Sequence, residues 1–185
     1  MDQASIYARS GSVVRFPGIT SYATGSTNQR FWQAEGAGSV LDLSGITSFA
    51  GNFADHLNIL AYSGGKVDLR NASAQSEGHV NVYAQDTGSL IDLSKLVTLN
   101  STHNVSYLQA AAGGTVKIPL LTQLDSTYLT VNNDATIDYA QITRIINGSL
   151  TINNGTPAFP LLTHLTNSTV DVRNATPGFS AVTSM

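Results

Sequence analysis

The chain has no cysteine. It therefore carries no disulfide framework and no Cys/His metal motif, although the compartment stays open, because exported bacterial proteins and cytosolic ones both do without the residue. Charge is also scarce, at 11% of residues with a net of −3. That excludes the basic face a nucleic-acid binder needs. No run reaches the roughly 18 apolar residues of a membrane-spanning helix. Residues Met1 to Arg9 have no apolar core and no cleavage pattern, so they do not read as a signal peptide. No ten-residue helical stripe occurs, nor any phosphate loop or nucleophile constellation. Yet 42% of the residues are hydrophobic, and they are periodic, which excludes a disordered acidic tail.

The periodicity is an internal repeat. Gly38-Ser39-Val40-Leu41-Asp42-Leu43-Ser44-Gly45-Ile46-Thr47-Ser48-Phe49 returns as Gly88-Ser89-Leu90-Ile91-Asp92-Leu93-Ser94-Lys95-Leu96-Val97-Thr98-Leu99, and weaker copies fill the remainder. Small residues anchor the copies at Gly11, Gly38, Gly64, Gly88, Gly113, Asp134, Asn154 and Asn174, which gives spacings of 20 to 27 residues. Gly, Asn and Asp tolerate positive φ, so this column reads as a corner. Five places on comes an apolar residue (Phe16, Leu43, Leu69, Leu93, Ile118, Tyr139, Phe159, Phe179). A second apolar column follows at Ile19, Ile46, Leu96, Leu121, Ile142, Leu162 and Val182, with Thr next in six of the seven copies. A third runs through Tyr22, Phe49, Leu99, Leu124, Ile145 and Leu165, and the copy at Arg70 to Ala74 has lost both later columns.

Each copy has another strand-like segment before its anchor: Phe31-Trp32-Gln33, Leu57-Asn58-Ile59, Val80-Asn81-Val82, Val105-Ser106-Tyr107, Leu129-Thr130-Val131, Leu150-Thr151-Ile152 and Val170-Asp171-Val172. All but the first alternate apolar, polar, apolar, which is the period of a half-buried strand. No single copy can bury a core alone, but stacked copies place like residues over like and make continuous apolar ladders. The expected fold is all-β: a parallel β-helix (β-solenoid) of about eight coils of 20–27 residues, one domain over 1–185. At about 4.8 Å per coil the rod would be roughly 35–40 Å long. Leucine-rich repeats overlap this length range, but the segments are β-branched and Thr-rich, and none looks helical.

The copies Gly-Ser-Val-Leu-Asp-Leu-Ser-x-Ile-Thr-Ser-Phe and Pro-x-Leu-Thr-x-Leu resemble repeats of very large secreted or surface-attached bacterial proteins, adhesin-like and autotransporter-like. The last three copies also resemble the receptor L-domain style of solenoid. The first resemblance implies export, a cell-surface or matrix location and a scaffold or adhesive role. It brings no catalytic residues. Neither end of the chain reads as a polar cap, and repeat proteins normally need caps. The expectation is either a piece of a longer solenoid or end coils that stack on another chain and build a fibre.

Candidate sites are few. Asp42, Asp68 and Asp92 fall four places after their anchors and should stack as an outward carboxylate stripe. Stacked like charges repel; bound Ca²⁺ would explain them, as would paired carboxylates acting on a glycan, as would a solvated face that keeps the rod soluble. His56, His79 and His103 recur at about one coil and would suit a transition metal if their rings converged. Among Trp32, Tyr62, Tyr83 and Tyr107, the alternation turns Trp32 and Tyr83 outward, where aromatics can stack on sugars, and Tyr107 inward. Asn58, Asn81, Ser106, Thr130, Thr151 and Asp171 are expected to form one polar row. Seven Asn-x-Ser/Thr sequons occur, at Asn71, Asn100, Asn104, Asn147, Asn154, Asn167 and Asn174; corners use these same residue types without any glycan.

Overall fold

A computed structural model describes residues 4–23, 28–51, 56–101 and 104–185. These form a parallel β-solenoid of three sheets with no helix among the described residues. The long-strand sheet has eight strands: Ile6–Arg9, Arg30–Glu35, His56–Tyr62, His79–Gln85, Ser106–Ala111, Thr127–Asn132, Ser149–Gly155 and Thr169–Ala175. A second sheet stacks six short strands, from Val13–Arg15 to Thr136–Ile137, and a third stacks seven, from Ser21–Tyr22 to His164–Thr166. Every pairing is parallel and joins one coil to the next. Along the register Ile6, Trp32, Ile59, Val82, Leu108, Leu129, Leu150 and Val170, seven successive turns take 26, 27, 23, 26, 21, 21 and 20 residues.

Corners are made where the sequence places its anchors. All of them except Asp134 adopt positive φ, from 51° at Asn174 to 86° at Gly64 and Gly88. At Ser10-Gly11, Ser63-Gly64 and Ala112-Gly113 both residues are left-handed, the signature of a type I′ turn. Each turn is closed by a backbone bond such as Gly65 N to Tyr62 O at 2.9 Å. The later coils are shorter because they pass from the third sheet to the long-strand sheet through one or two residues, led by Ser126, Asn147 or Asn167 with φ of 46–53°. Here Asn167 Nδ2 donates to Asn147 Oδ1 at 2.9 Å, and Asn147 Nδ2 donates to Asp125 Oδ1 at 3.2 Å. These two sequon amides thus serve the stack.

The three apolar columns at and after the corner point inward as expected. Leu43, Leu69, Leu93, Ile118 and Phe159 are fully buried, as are Ile46, Leu96, Leu121, Ile142 and Leu162. The threonine that follows the second column forms a ladder of its own. Thr47, Thr143 and Thr163 each give both backbone N–H and hydroxyl to the carbonyl of the equivalent residue one coil back, at 2.8–3.1 Å. Ser73 continues the ladder in the degenerate copy, donating to Thr47 O. In that copy Ala72 fills the second column and Gln75 the third, between Phe49 and Leu99. Gln75 is buried but satisfied: its Nε2 donates to Glu77 O at 2.6 Å and its Oε1 accepts from Asn100 N at 2.9 Å. A buried amide with its bonds made is tolerated where an unpaired one is not.

The long-strand sheet corrects two of the expected segments. In Arg30–Glu35, Trp32 pairs with Ile59 and is fully buried, so it points inward. In Ser106–Ala111, Ser106 is inward and Tyr107 outward, at 38% exposure. The expected polar row also breaks up: Asn58 and Asn81 align with Tyr107 and Tyr128, whereas Thr130 and Thr151 align with Tyr83 and Gln109. A slip of one residue exchanges the two faces of a strand. Both corrected segments offer an apolar residue to either face, Phe31 beside Trp32 and Tyr107 beside Leu108, so alternation alone does not settle their register.

Leu93 sits in the middle of the first inward column and is fully buried. Leu93→Asp is expected to cost ~5 kcal/mol or more, because it strands a charge in the shared core. Circular-dichroism melts should show several coils lost together; a melt matching the parent would refute the inward placement of this column.

Candidate functional site

The carboxylate stripe exists. Asp42, Asp68 and Asp92 lie directly opposite one another on adjacent strands of the second sheet. Each carboxylate turns back on its own corner: Oδ1 accepts the backbone N–H two residues on, from Ser44, Arg70 and Ser94, at 3.1 Å in all three. This is an Asx turn, in which a side chain replaces a backbone turn bond. The residue making that turn also donates from its side chain. Ser44 Oγ reaches Asp42 Oδ1 at 2.6 Å, the Ser94 hydroxyl reaches Asp92 Oδ1, and Arg70 Nε lies 2.9 and 3.0 Å from the two Asp68 oxygens.

The like-charge stack is flanked by cations. Arg15 stands opposite Asp42, and Lys117 opposite Asp92, with nitrogen–oxygen distances of 3.7 and 4.0 Å. With Arg70 beside the centre, three carboxylates meet three cations, which removes the repulsion that raised the question. Asp42 is held below the usual carboxylate range, first by the Ser44 hydroxyl, then by the Ser44 amide with help from Arg15 and Arg70, while partial burial works the other way. A proton donor to a glycosidic oxygen needs the opposite shift. Ca²⁺ takes six to eight oxygen ligands per ion, whereas one oxygen of each of these carboxylates is engaged in closing its own turn. No group of three or more His, Cys, Asp or Glu among the described residues is placed to hold a metal.

His56 and His79 face each other across adjacent strands, with ring centroids 4.3 Å apart and edge to face. His79 is fully buried and His56 half-buried, with the Tyr107 ring 5.4 Å from His56. The pair is a packed rung rather than a row of exposed corner residues. His103 lies outside the described residues.

Trp32 leaves the aromatic platform altogether. It is wedged inside the first coils against Tyr22 and Phe49, at centroid distances of 4.6 and 5.9 Å. Tyr83 does face outward, 5.9 Å from Tyr62, and its hydroxyl donates to Gln85 Oε1 at 2.8 Å. Burial raises the phenol pKa of both Tyr62 and Tyr83 above the ordinary 10.0, so both are neutral at physiological pH. Tyr107 and Tyr128 join them on the same face, each 38% exposed and 5.5 Å apart. The sequence reading missed Tyr128 and inverted Tyr107. Counting back from Leu108 and Leu129 instead of forward from Val105 would have placed both outward. Beside this face, at the corner after the strands, a concavity of about 370 Å³ is lined by Gln109, Ala111, Asn132, Asn133, Asp134 and Asn154. A second of about 190 Å³ shares Asn132, Asn133 and Asn154 with it.

Comparisons with family models, with curated proteins and with solved structures give no match to this chain. None of them supports the resemblance to bacterial surface repeats. No helix among the described residues is long and apolar enough to cross a membrane.

Two measurements check this geometry. Because Asp42 is depressed in the folded state, its contribution to stability is present above the unfolded carboxylate pKa and fades as pH falls through the lower folded value. Ser44→Ala removes the largest cause, so the Asp42 pKa should rise in a carboxyl NMR titration and the acid limb of stability should soften. An unmoved titration would mean that another group holds the charge. The chain has a single tryptophan, and its fluorescence should be blue-shifted and shielded from acrylamide; ready quenching would return Trp32 to the surface.

Proposed function

We propose that the chain is a non-catalytic structural β-solenoid, a rigid extracellular or cell-surface scaffold that lengthens by stacking an end coil on that of a second copy. The observation that carries this reading is the match between the two ends. Val14, Phe16 and Ile19 in the first coil and Val170, Ala175, Phe179 and Val182 in the last belong to the inward columns, yet they are only partly buried. By distance from their anchors, Phe16 corresponds to Phe179, Ile19 to Val182 and Thr20 to Thr183. Phe179 already stacks on Phe159 at 5.4 Å, and Phe159 packs on Tyr139 at 4.8 Å. A Phe16 from the next copy would extend this aromatic column. A Thr20 from that copy would continue the threonine ladder onto the Thr183 carbonyl.

Other features support the same reading. The strands Ile6–Arg9 and Thr169–Ala175 are each paired on one side only. Such edges are templates for strand addition. At the last coil a concavity of about 520 Å³ opens between Leu165, Val170 and Met185, where the core columns meet solvent. The carboxylates a hydrolase would use are committed to corners and ion pairs. Placement outside the cell is carried by the resemblance of residues 38–49 and their copies to bacterial surface repeats.

Electron microscopy and sedimentation across a concentration series test the proposal. The expected result is rods of uniform width that lengthen with concentration and shorten in Phe16→Asp or Phe179→Asp. Both variants place a charge on an end coil, so their monomers should keep the parent's circular-dichroism spectrum. Short particles at every concentration would sink end-to-end growth.

A further inference from the structure

The outward face of the long-strand sheet has a chemistry unlike the rest of the surface. Its five central strands, from His56–Tyr62 to Ser149–Gly155, each present three consecutive outward positions, starting at Asn58, Asn81, Tyr107, Tyr128 and Ser149. None of these fifteen positions holds Asp, Glu, Lys or Arg. Charge returns around its rim: the Arg9–Glu35 and Asp171–Arg173 pairs at the sheet's two ends, and the carboxylates of Asp86 and Asp134 at the corner after the strands. A solubilising face would be charged throughout, as the second sheet is along its carboxylate ladder. Here tyrosines and side-chain amides take that place. In the register Gln109 lies between Tyr83 and Thr130, and Tyr107 lies beside Tyr128. The concavity of about 370 Å³ at the edge of the same strands is lined by the amides of Gln109, Asn132, Asn133 and Asn154, with the Asp134 carboxylate at the corner.

We propose that this face binds a neutral, linear glycan lying along the rod axis, with Tyr83, Tyr107 and Tyr128 as the stacking surface and Gln109 as a hydrogen-bonding group. A tyrosine offers an apolar ring and a polar tip, and an amide both donates and accepts. Pyranose rings have the complementary pattern, C–H faces with hydroxyl edges. The lack of charge selects the neutral class, because a uronate, a sulfated glycan or a nucleic acid would find no cation here. The one aliphatic residue of size on these strands, Leu60, is covered, so, Ala111 apart, the accessible side chains are tyrosines, amides and hydroxyls. Successive strands are about 4.8 Å apart, close to the length of one sugar in an extended chain; Asn58 and Leu60 on the first strand are covered, so the four accessible strands, ~14 Å across, suit about three rings. The inference does not rest on end-to-end growth, since it uses a side of the rod and not its ends.

The test is a titration of the chain with hexasaccharides of β-linked glucose, xylose, mannose and N-acetylglucosamine, with polygalacturonate and heparin as charged counterparts. At least one neutral glycan should bind, and both polyanions should not. Tyr107→Ala with Tyr128→Ala should weaken Kd by about tenfold or more. Gln109→Ala, a smaller change to the sheet, should weaken it less, and Arg15→Gln on the second sheet should leave it unchanged. The parent melting curve in each variant guards against loss of fold. Absence of binding to every neutral glycan would overturn the proposal. So would preferential binding of a polyanion, binding indifferent to Tyr107, Tyr128 and Gln109, or sideways pairing of rods that the same tyrosine variants abolish.

Discussion

Everything in this molecule depends on parallel, in-register stacking of one coil on the next. The hydrogen bonds run coil to coil, so each residue sits about 4.8 Å from its counterpart in the neighbouring coil. A column must therefore tolerate repetition of itself. Leucine and isoleucine do so by packing, threonine by donating twice to the carbonyl behind it, and asparagine by donating its side-chain N–H to the amide oxygen of the asparagine one coil back. Carboxylates do not, and the chain accommodates three of them only by closing each in its own turn and setting Arg15, Arg70 and Lys117 around them.

That constraint explains how much could be read in advance. The corner columns were legible because each is pinned by a residue that tolerates positive φ at a fixed distance, as Leu93 is pinned by Gly88. The carboxylate ladder was legible for the same reason. The long strands were harder, since they begin after a corner of variable length and have no such pin. There the two faces are told apart only by parity, and Trp32 and Tyr107 were each placed on the wrong one. Gln75 was illegible in another way. Its copy looked degenerate, yet the amide occupies the apolar column with one hydrogen bond made inside its own coil and one to the next, and nothing in a hydrophobicity pattern announces a satisfied polar group.

The same accounting separates the surfaces. On the second sheet, charged groups answer one another within the molecule. At the ends, apolar columns stop at half-buried residues whose natural complement is another coil. On the central strands of the long-strand sheet the outward side chains are mostly aromatic and amide and carry no charge, with Tyr107 and Tyr128 in register and Tyr62 and Tyr83 offset by one rung. Two sheets and the ends of one repeating stack thus carry three different chemistries, because the inward residues alone are constrained by the core and each outward column can vary independently.

The rung containing Ala72 and Gln75 has a mechanical consequence. Above and below it the same two columns hold Ile46 with Phe49 and Leu96 with Leu99, all fully or almost fully buried. At this level a methyl group and a hydrogen-bonded amide replace two large apolar side chains, so less apolar surface joins this coil to its neighbours. Each coil of a solenoid is held only by those on either side. In these two columns hydrogen bonds across the joint, from Asn71 Nδ2 to Ser44 O on one side and from Asn100 N to Gln75 Oε1 on the other, stand where apolar contact holds the neighbouring coils. The one directional, polar joint of these two columns is thus set by a single poorly conforming copy, and it lies well inside the stack.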